Sequence, residues 1–220
     1  AIMRSSTEAV ESVAVDELAI IDSEFVGNTA GGNGGAVHAS GPITVFVEGT
    51  LFEANIVGGG TDSDGANGGA IGAWSSDDDG ISVEIDQCRF VENRAEGNAT
   101  WVEGGAIAIG GYNVGPTDTY QRSVLRAVNS LFVDNVADGS LSANDARGGV
   151  ISAWEHCLID LSFSTFVGNS CDSAGVTGTG DVTDAESGEG GGVVSTSYDN
   201  NPCATTVSSS ILYGNGPYEL

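Results

Sequence analysis

The side chains with chemistry to offer fall into three groups: acids in glycine-rich connectors, two tryptophans in matching positions, and four cysteines. Asp62 and Asp64, followed by Gly65 and Asn67 in TDSDGANGG, bring the oxygen ligands and the turn glycine of a calcium loop. The further acids and the closing Glu of an EF-hand are missing there, and a solvated acidic turn is the alternative. Asp77, Asp78 and Asp79 form a second acidic run, and Asn98-Ala99-Thr100 is a glycosylation sequon, used only in a eukaryotic secretory host. Trp74 and Trp154 each stand six residues after the first glycine of a Gly-Gly pair, where they would either stack on sugar rings or anchor loops.

The charge balance narrows the partners. Asp and Glu number 31 against 6 basic residues, all arginine, for a formal charge of −25. Such a field repels phosphate backbones and anionic membrane, so no nucleic acid and no membrane insertion are expected. It favours bound cations (calcium is the candidate, and no cofactor is required), a cationic partner, a high-salt environment, or simply solubility. No apolar run approaches the roughly 18 residues of a membrane helix. The opening residues, Ala1 to Ser6, lack a signal-peptide pattern. Four cysteines in 220 residues are too few for a disulfide scaffold.

What positions these residues is a repeat. An aromatic residue followed three positions later by Asn recurs as Phe25/Asn28, Phe52/Asn55, Phe90/Asn93, Phe132/Asn135 and Phe166/Asn169, with Leu212/Asn215 as a degenerate copy. Alternating with it, Gly-Gly followed by two small or β-branched residues begins at Gly34, Gly68, Gly104, Gly148 and Gly191. The short motifs hold while the connectors grow, as stacked strands joined by surface loops do. Seven and five residues before each Phe, apolar columns such as Leu18/Val45/Val83/Leu125/Ile159 and Ile20/Val47/Ile85/Ala127/Leu161 carry the period of two of a half-buried strand. The inward parity slips once before the small column Ser23/Thr50/Cys88/Ser130/Ser164/Ser210, which places a corner there. A third strand follows each Gly-Gly. The fold expected is an all-β, right-handed parallel β-helix of about five to six coils with three short parallel strands per coil. It is read as a single domain over 1–220, with a partial coil at 1–15, repeats at 16–216 and a long Gly/acid-rich loop at 172–190. Phe would stack on Phe in the lumen, and inward Asn would form a ladder.

The tetrapeptides GGAV (34–37), GGAI (68–71, 104–107), GGVI (148–151) and GGVV (191–194), alternating with FVGN, FEAN, FVEN, FVDN and FVGN, resemble the repeats of chlamydial polymorphic membrane proteins, within the pectate-lyase-like β-helix superfamily. The resemblance covers about residues 16–216. It implies a secreted or cell-surface location and an adhesive role.

Enzymes of this superfamily set acids and bases on one outer sheet face. Counted from the first glycine, the residues expected to face outward are +2 (Ala36, Ala70, Ala106, Val150, Val193), +4 (His38, Gly72, Ala108, Ser152, Ser195) and +6 (Ser40, Trp74, Gly110, Trp154, Ser197). None is an acid, Arg or Lys, so no catalytic residue is assigned and the chain is read as not an enzyme. The first reading is a structural or adhesive component of a larger assembly, extracellular or at a cell surface, acting through its flat faces and coil ends on a protein partner or further copies. The alternative is a calcium-assisted glycan-binding module, and a polysaccharide-degrading enzyme comes third.

Two expectations complete the sequence reading. Cys157 and Cys203 share one column a coil apart and are the one candidate disulfide, although in-register neighbours lie slightly far apart for an unstrained bond; buried thiols are expected otherwise. The rim around Leu212 is expected to be covered by more chain, another copy or a different protein, or else by the 172–190 loop or the tail.

Overall fold

The structure, a computed structural model, describes residues 2–5, 16–59, 65–75, 80–97, 101–111, 122–139, 146–173, 183–184, 192–197 and 203–215. It is a right-handed parallel β-helix of six coils, and every strand pairing is parallel. Three sheets enclose the lumen. Sheet A stacks Ile2–Ser5, Val37–Ser40, Ile71–Ser75, Ile107–Gly111, Ile151–Trp154 and Val194–Ser197. Sheet B stacks Asp16–Ile21, Ile43–Glu48, Ser82–Asp86, Ser123–Val128, Cys157–Ser162 and Ala204–Ser208. Sheet C stacks Glu24–Val26, Leu51–Glu53, Arg89–Val91, Leu131–Val133, Thr165–Val167 and Ile211–Tyr213. Thr183–Asp184, from within the 172–190 stretch, lies outside Val194–Ser197 and so adds to that edge of sheet A.

The corner between sheets B and C is a single left-handed residue in every coil: Asp22, Gly49, Gln87, Asn129, Phe163 and Ser209, with φ between 46° and 59°. One left-handed residue flips the side-chain alternation, which is the parity slip legible in the columns. The small residue after it then turns inward. Its hydroxyl donates to the carbonyl two residues back, as Ser130 does to Val128 at 2.8 Å, and accepts the amide of the coil before, as from Cys88 at 3.1 Å.

The lumen is built of self-stacking columns. Phe25, Phe52, Phe90, Phe132 and Phe166 stack with centroids 4.7–5.0 Å apart and planes within 9°. The Asn of each coil turns inward behind them. Asn93 Nδ2 donates to Asn135 Oδ1 at 2.9 Å and to the Phe52 carbonyl at 3.0 Å, while its Oδ1 accepts Asn55 Nδ2 and the Asn55 amide. The full hydrogen-bonding capacity of a primary amide is thus used inside an apolar core, where an orphaned group would cost about 1–3 kcal/mol.

Beyond the three core strands, the middle coils carry two more. After the Asn the chain leaves the lumen as sheet D (Thr29–Ala30, Ile56–Gly59, Arg94–Gly97, Val136–Gly139, Ser170–Ser173) and returns as sheet E (Gly65–Asn67, Trp101–Glu103, Ala146–Arg147). The two sheets enclose a second small core of Val57, Ala66, Ala95, Val102, Ala137, Ala146 and Cys171, forming a ridge along the helix.

The +2 column also differs from expectation. Ala36, Ala70, Ala106, Val150 and Val193 belong to the lumen core and do not face outward. The chain bends at the start of this strand, so that the amides of both Ala36 and Val37 donate to the Ala70 carbonyl, and two successive side chains point inside. The preceding corner requires glycine: Gly104 has φ 65°, and a Cβ there would lie 2.0 Å from the Ile107 carbonyl oxygen.

Candidate functional site

Sheet E returns beside the outer face of sheet A, and the angle between them gathers the chemistry of the molecule. Its far wall is the residue just before each Gly-Gly: Asn33, Asn67, Glu103 and Arg147, aligned coil over coil. Its floor is the +4 and +6 columns of sheet A. The +4 residues Gly72, Ala108, Ser152 and Ser195 are buried, because the Asn-Gly-Gly corner folds back onto them; a Cβ on Gly72 would lie 2.8 Å from the Gly34 amide nitrogen. These positions therefore need small residues for steric reasons.

Trp74 and Trp154 project from coils separated by one other, and Gly110 occupies their column in the coil between. The two indoles lean across that gap and stack, with centroids 4.1 Å apart and planes 20° apart. A Cβ on Gly110 would meet Trp154 Cε3 at 2.8 Å and Trp74 Cζ3 at 3.1 Å. The tryptophans thus spend one face on each other. Trp154 Nε1 donates to Glu103 Oε1 at 2.9 Å, and Arg147 Nη1 stands 3.4 Å from the same oxygen. The Arg147 guanidinium also lies 4.5 Å from the ring centroid of the half-exposed Trp101. The three tryptophans of the chain are thus linked through Glu103 and Arg147: Trp154 bonds the carboxyl, Trp74 stacks on Trp154, and Trp101 lies against the guanidinium.

Glu103 is 2% exposed. Burial pushes its carboxyl up to about 8, against the opposing pull of Arg147. Its partners among the described residues are a guanidinium and an indole, without the second carboxylate that glycoside hydrolysis requires. His38 lies on the same sheet face with its Nδ1 buried and without a hydrogen-bond partner, and burial holds its pKa below the usual value.

Of the residues singled out by sequence, Asp62, Asp64, Asn98 and the run Asp77–Asp79 lie outside the described residues. Asn67 is in the wall, where its Nδ2 donates to Asn33 Oδ1 at 2.9 Å. Among the described residues no group of three or more His, Cys, Asp or Glu is placed to hold a metal ion. Cys157 and Cys203 are neighbours in register and are unlinked thiols, the first buried and the second half-buried; Cys88 and Cys171 are buried. Trp101, Glu103 and Arg147 escaped the sequence reading. Their signal was an acid followed one coil later by an arginine, immediately before Gly-Gly.

Among the described residues no helix is long and apolar enough to cross a membrane. Comparison of the chain with protein-family models, with curated proteins and with solved structures finds no match.

Proposed function

We propose that this chain is a structural or adhesive β-helix, extracellular or at a cell surface, that acts through its outer faces as part of a larger assembly. The observation that carries this reading is the outer face of sheet C. Its strands present Val26, Glu53, Val91, Val133, Val167 and Tyr213 in one column, and Glu24, Leu51, Arg89, Leu131, Thr165 and Ile211 in the next, where apolar and polar residues alternate. None of these side chains is buried, and Ile211 and Tyr213 are 62% and 70% exposed. Six strands at about 4.8 Å carry the first column over about 24 Å, apolar or aromatic in every coil but that of Glu53. The resemblance of the tetrapeptides to chlamydial surface-protein repeats points the same way. Beads carrying the wild-type chain should be retained on an extracellular-matrix surface better than beads carrying the double variant Val133→Lys, Val167→Lys. Equal retention of both would set the reading aside.

The tryptophan cluster favours a second reading, a glycan-binding module, with calcium held at Asp62, Asp64 and Asn67. A glycan array probed with and without calcium, using wild type and Trp101→Ala, separates the two. A polysaccharide lyase or hydrolase ranks third and is tested by activity on acidic and neutral polysaccharides.

A further inference from the structure

We propose that Cys157 and Cys203 form an oxidisable pair that closes to a disulfide and staples the last coil to the one before it.

The four cysteines of the chain occupy different surroundings. Cys88 has Thr50 and Ser130 in the equivalent positions of the adjacent coils, and Cys171 pairs in register with Ala137 inside the ridge. Cys157 and Cys203 alone stand in one column in consecutive coils. The pairing Leu158↔Ala204 continues directly to them, and the Cys157 amide donates to Cys203 Sγ at 3.4 Å. The same contact is made two coils earlier in this column by the Ile81 amide to Ser123 Oγ, so the sulfur occupies a position that the fold fixes. Contrary to the expectation from sequence, the spacing is not too long: parallel neighbours about 4.8 Å apart at Cα fall within the range a disulfide spans. Cys203 precedes the first paired residue of its strand, which leaves its backbone room for the small approach that bond formation needs.

The two sulfurs are chemically unequal. Cys157 is fully buried, with its Sγ 3.0 Å from the Trp154 carbonyl, whereas Cys203 is half-buried at the edge of the final coil. A side-chain hydrogen bond between the two thiols, aided by the Cys157 amide at its sulfur, holds Cys203 below its usual range; the same thiol contact and burial hold Cys157 well above. Cys203, the sulfur an oxidant can reach, is the attacking thiolate. With a small-molecule disulfide as oxidant, the Cys203 sulfur displaces one thiol and forms a mixed disulfide. Cys157, giving up its proton, then attacks the Cys203 sulfur and releases the second thiol. The protein loses two electrons and two protons, and the oxidant is reduced to two thiols. An extracellular setting, which rests on the function proposed above, would favour the closed form. The geometry of the pair does not depend on that reading.

The test is to treat the reduced 220-residue chain with oxidised glutathione and read intact mass, the peptide map and hydrogen exchange. The expected product has lost the mass of two hydrogens, with the bond mapped to Cys157–Cys203. Exchange at residues 204–213 should slow by about tenfold or more. Cys88→Ser with Cys171→Ala should still close, and Cys157→Ala should stop at a glutathione adduct on Cys203. A persistent adduct on Cys203 in the wild type, four free thiols after oxidation, or a bond mapped elsewhere would overturn the proposal. Surface retention of the beads does not enter this readout, so the two proposals fail separately.

Discussion

In the lumen the motif columns set like on like: Phe on Phe, Asn on Asn, hydroxyl on hydroxyl. In the angle beside the ridge the corresponding column reads Asn33, Asn67, Glu103, Arg147. The two columns stack with the same parallel register and obey different rules. A position repeated in register accepts only groups that bind their own kind. An amide or a hydroxyl qualifies, because it is donor and acceptor at once. A carboxylate does not, and it enters a buried column only where the next coil supplies its counter-charge. Among the described residues Glu103 is the one charged side chain counted as buried, and Arg147 stands directly over it.

The comparison breaks most severely at the Asn ladder. Asn93→Ala should destabilise the protein by about 4 kcal/mol or more, because it orphans the Asn55 amide, the Phe52 carbonyl and the amide groups on either side. Urea denaturation measures this, and a loss no larger than that of a surface substitution would mean that the ladder is ornament. Gly110→Val comes next. Overpacking between the two indoles should cost about 1–3 kcal/mol and abolish the near-ultraviolet dichroism of the Trp74–Trp154 stack.

Glu103→Gln is set apart by its pH dependence. The folded carboxyl titrates near 8, above its ordinary 4.5, so the folded state holds the proton more tightly than the unfolded chain. The stability Glu103 contributes is fully present below about 4.5 and is lost as pH rises through about 8. The difference in melting temperature between the Gln variant and wild type should therefore grow in the variant's favour across that window. A flat difference would remove the buried-acid description. Cys88→Ser should do least, staying within about 1 kcal/mol of wild type, because it restores the hydroxyl that the other members of its column carry. A large loss there would show that the column selects for more than a small inward donor.

The same rule of stacking explains what could be read from the chain alone. Self-stacking positions leave their residue type written five or six times, so the Phe and Asn columns and the B–C corner were plain. The ridge was not, because each coil contributes only a pair such as Ala95 and Val102 to its core, too short to show alternation. The inward turn of Ala36 was hidden because a bend resets parity without changing residue type. The Glu103 cluster left a single trace, since a hetero-column by nature does not repeat.

The Asn ladder also has a consequence for how this molecule can change over generations. Its five side-chain contacts measure 2.7–2.9 Å, while the chain between successive members runs 27, 38, 42, 34 and 46 residues. In polymer terms, closing the longest of these loops instead of the shortest costs only about 0.5 kcal/mol more. Insertions and deletions in the connectors are thus nearly invisible to the frame. The connectors are free to diversify from one lineage to the next while the spacing of the coils stays constant.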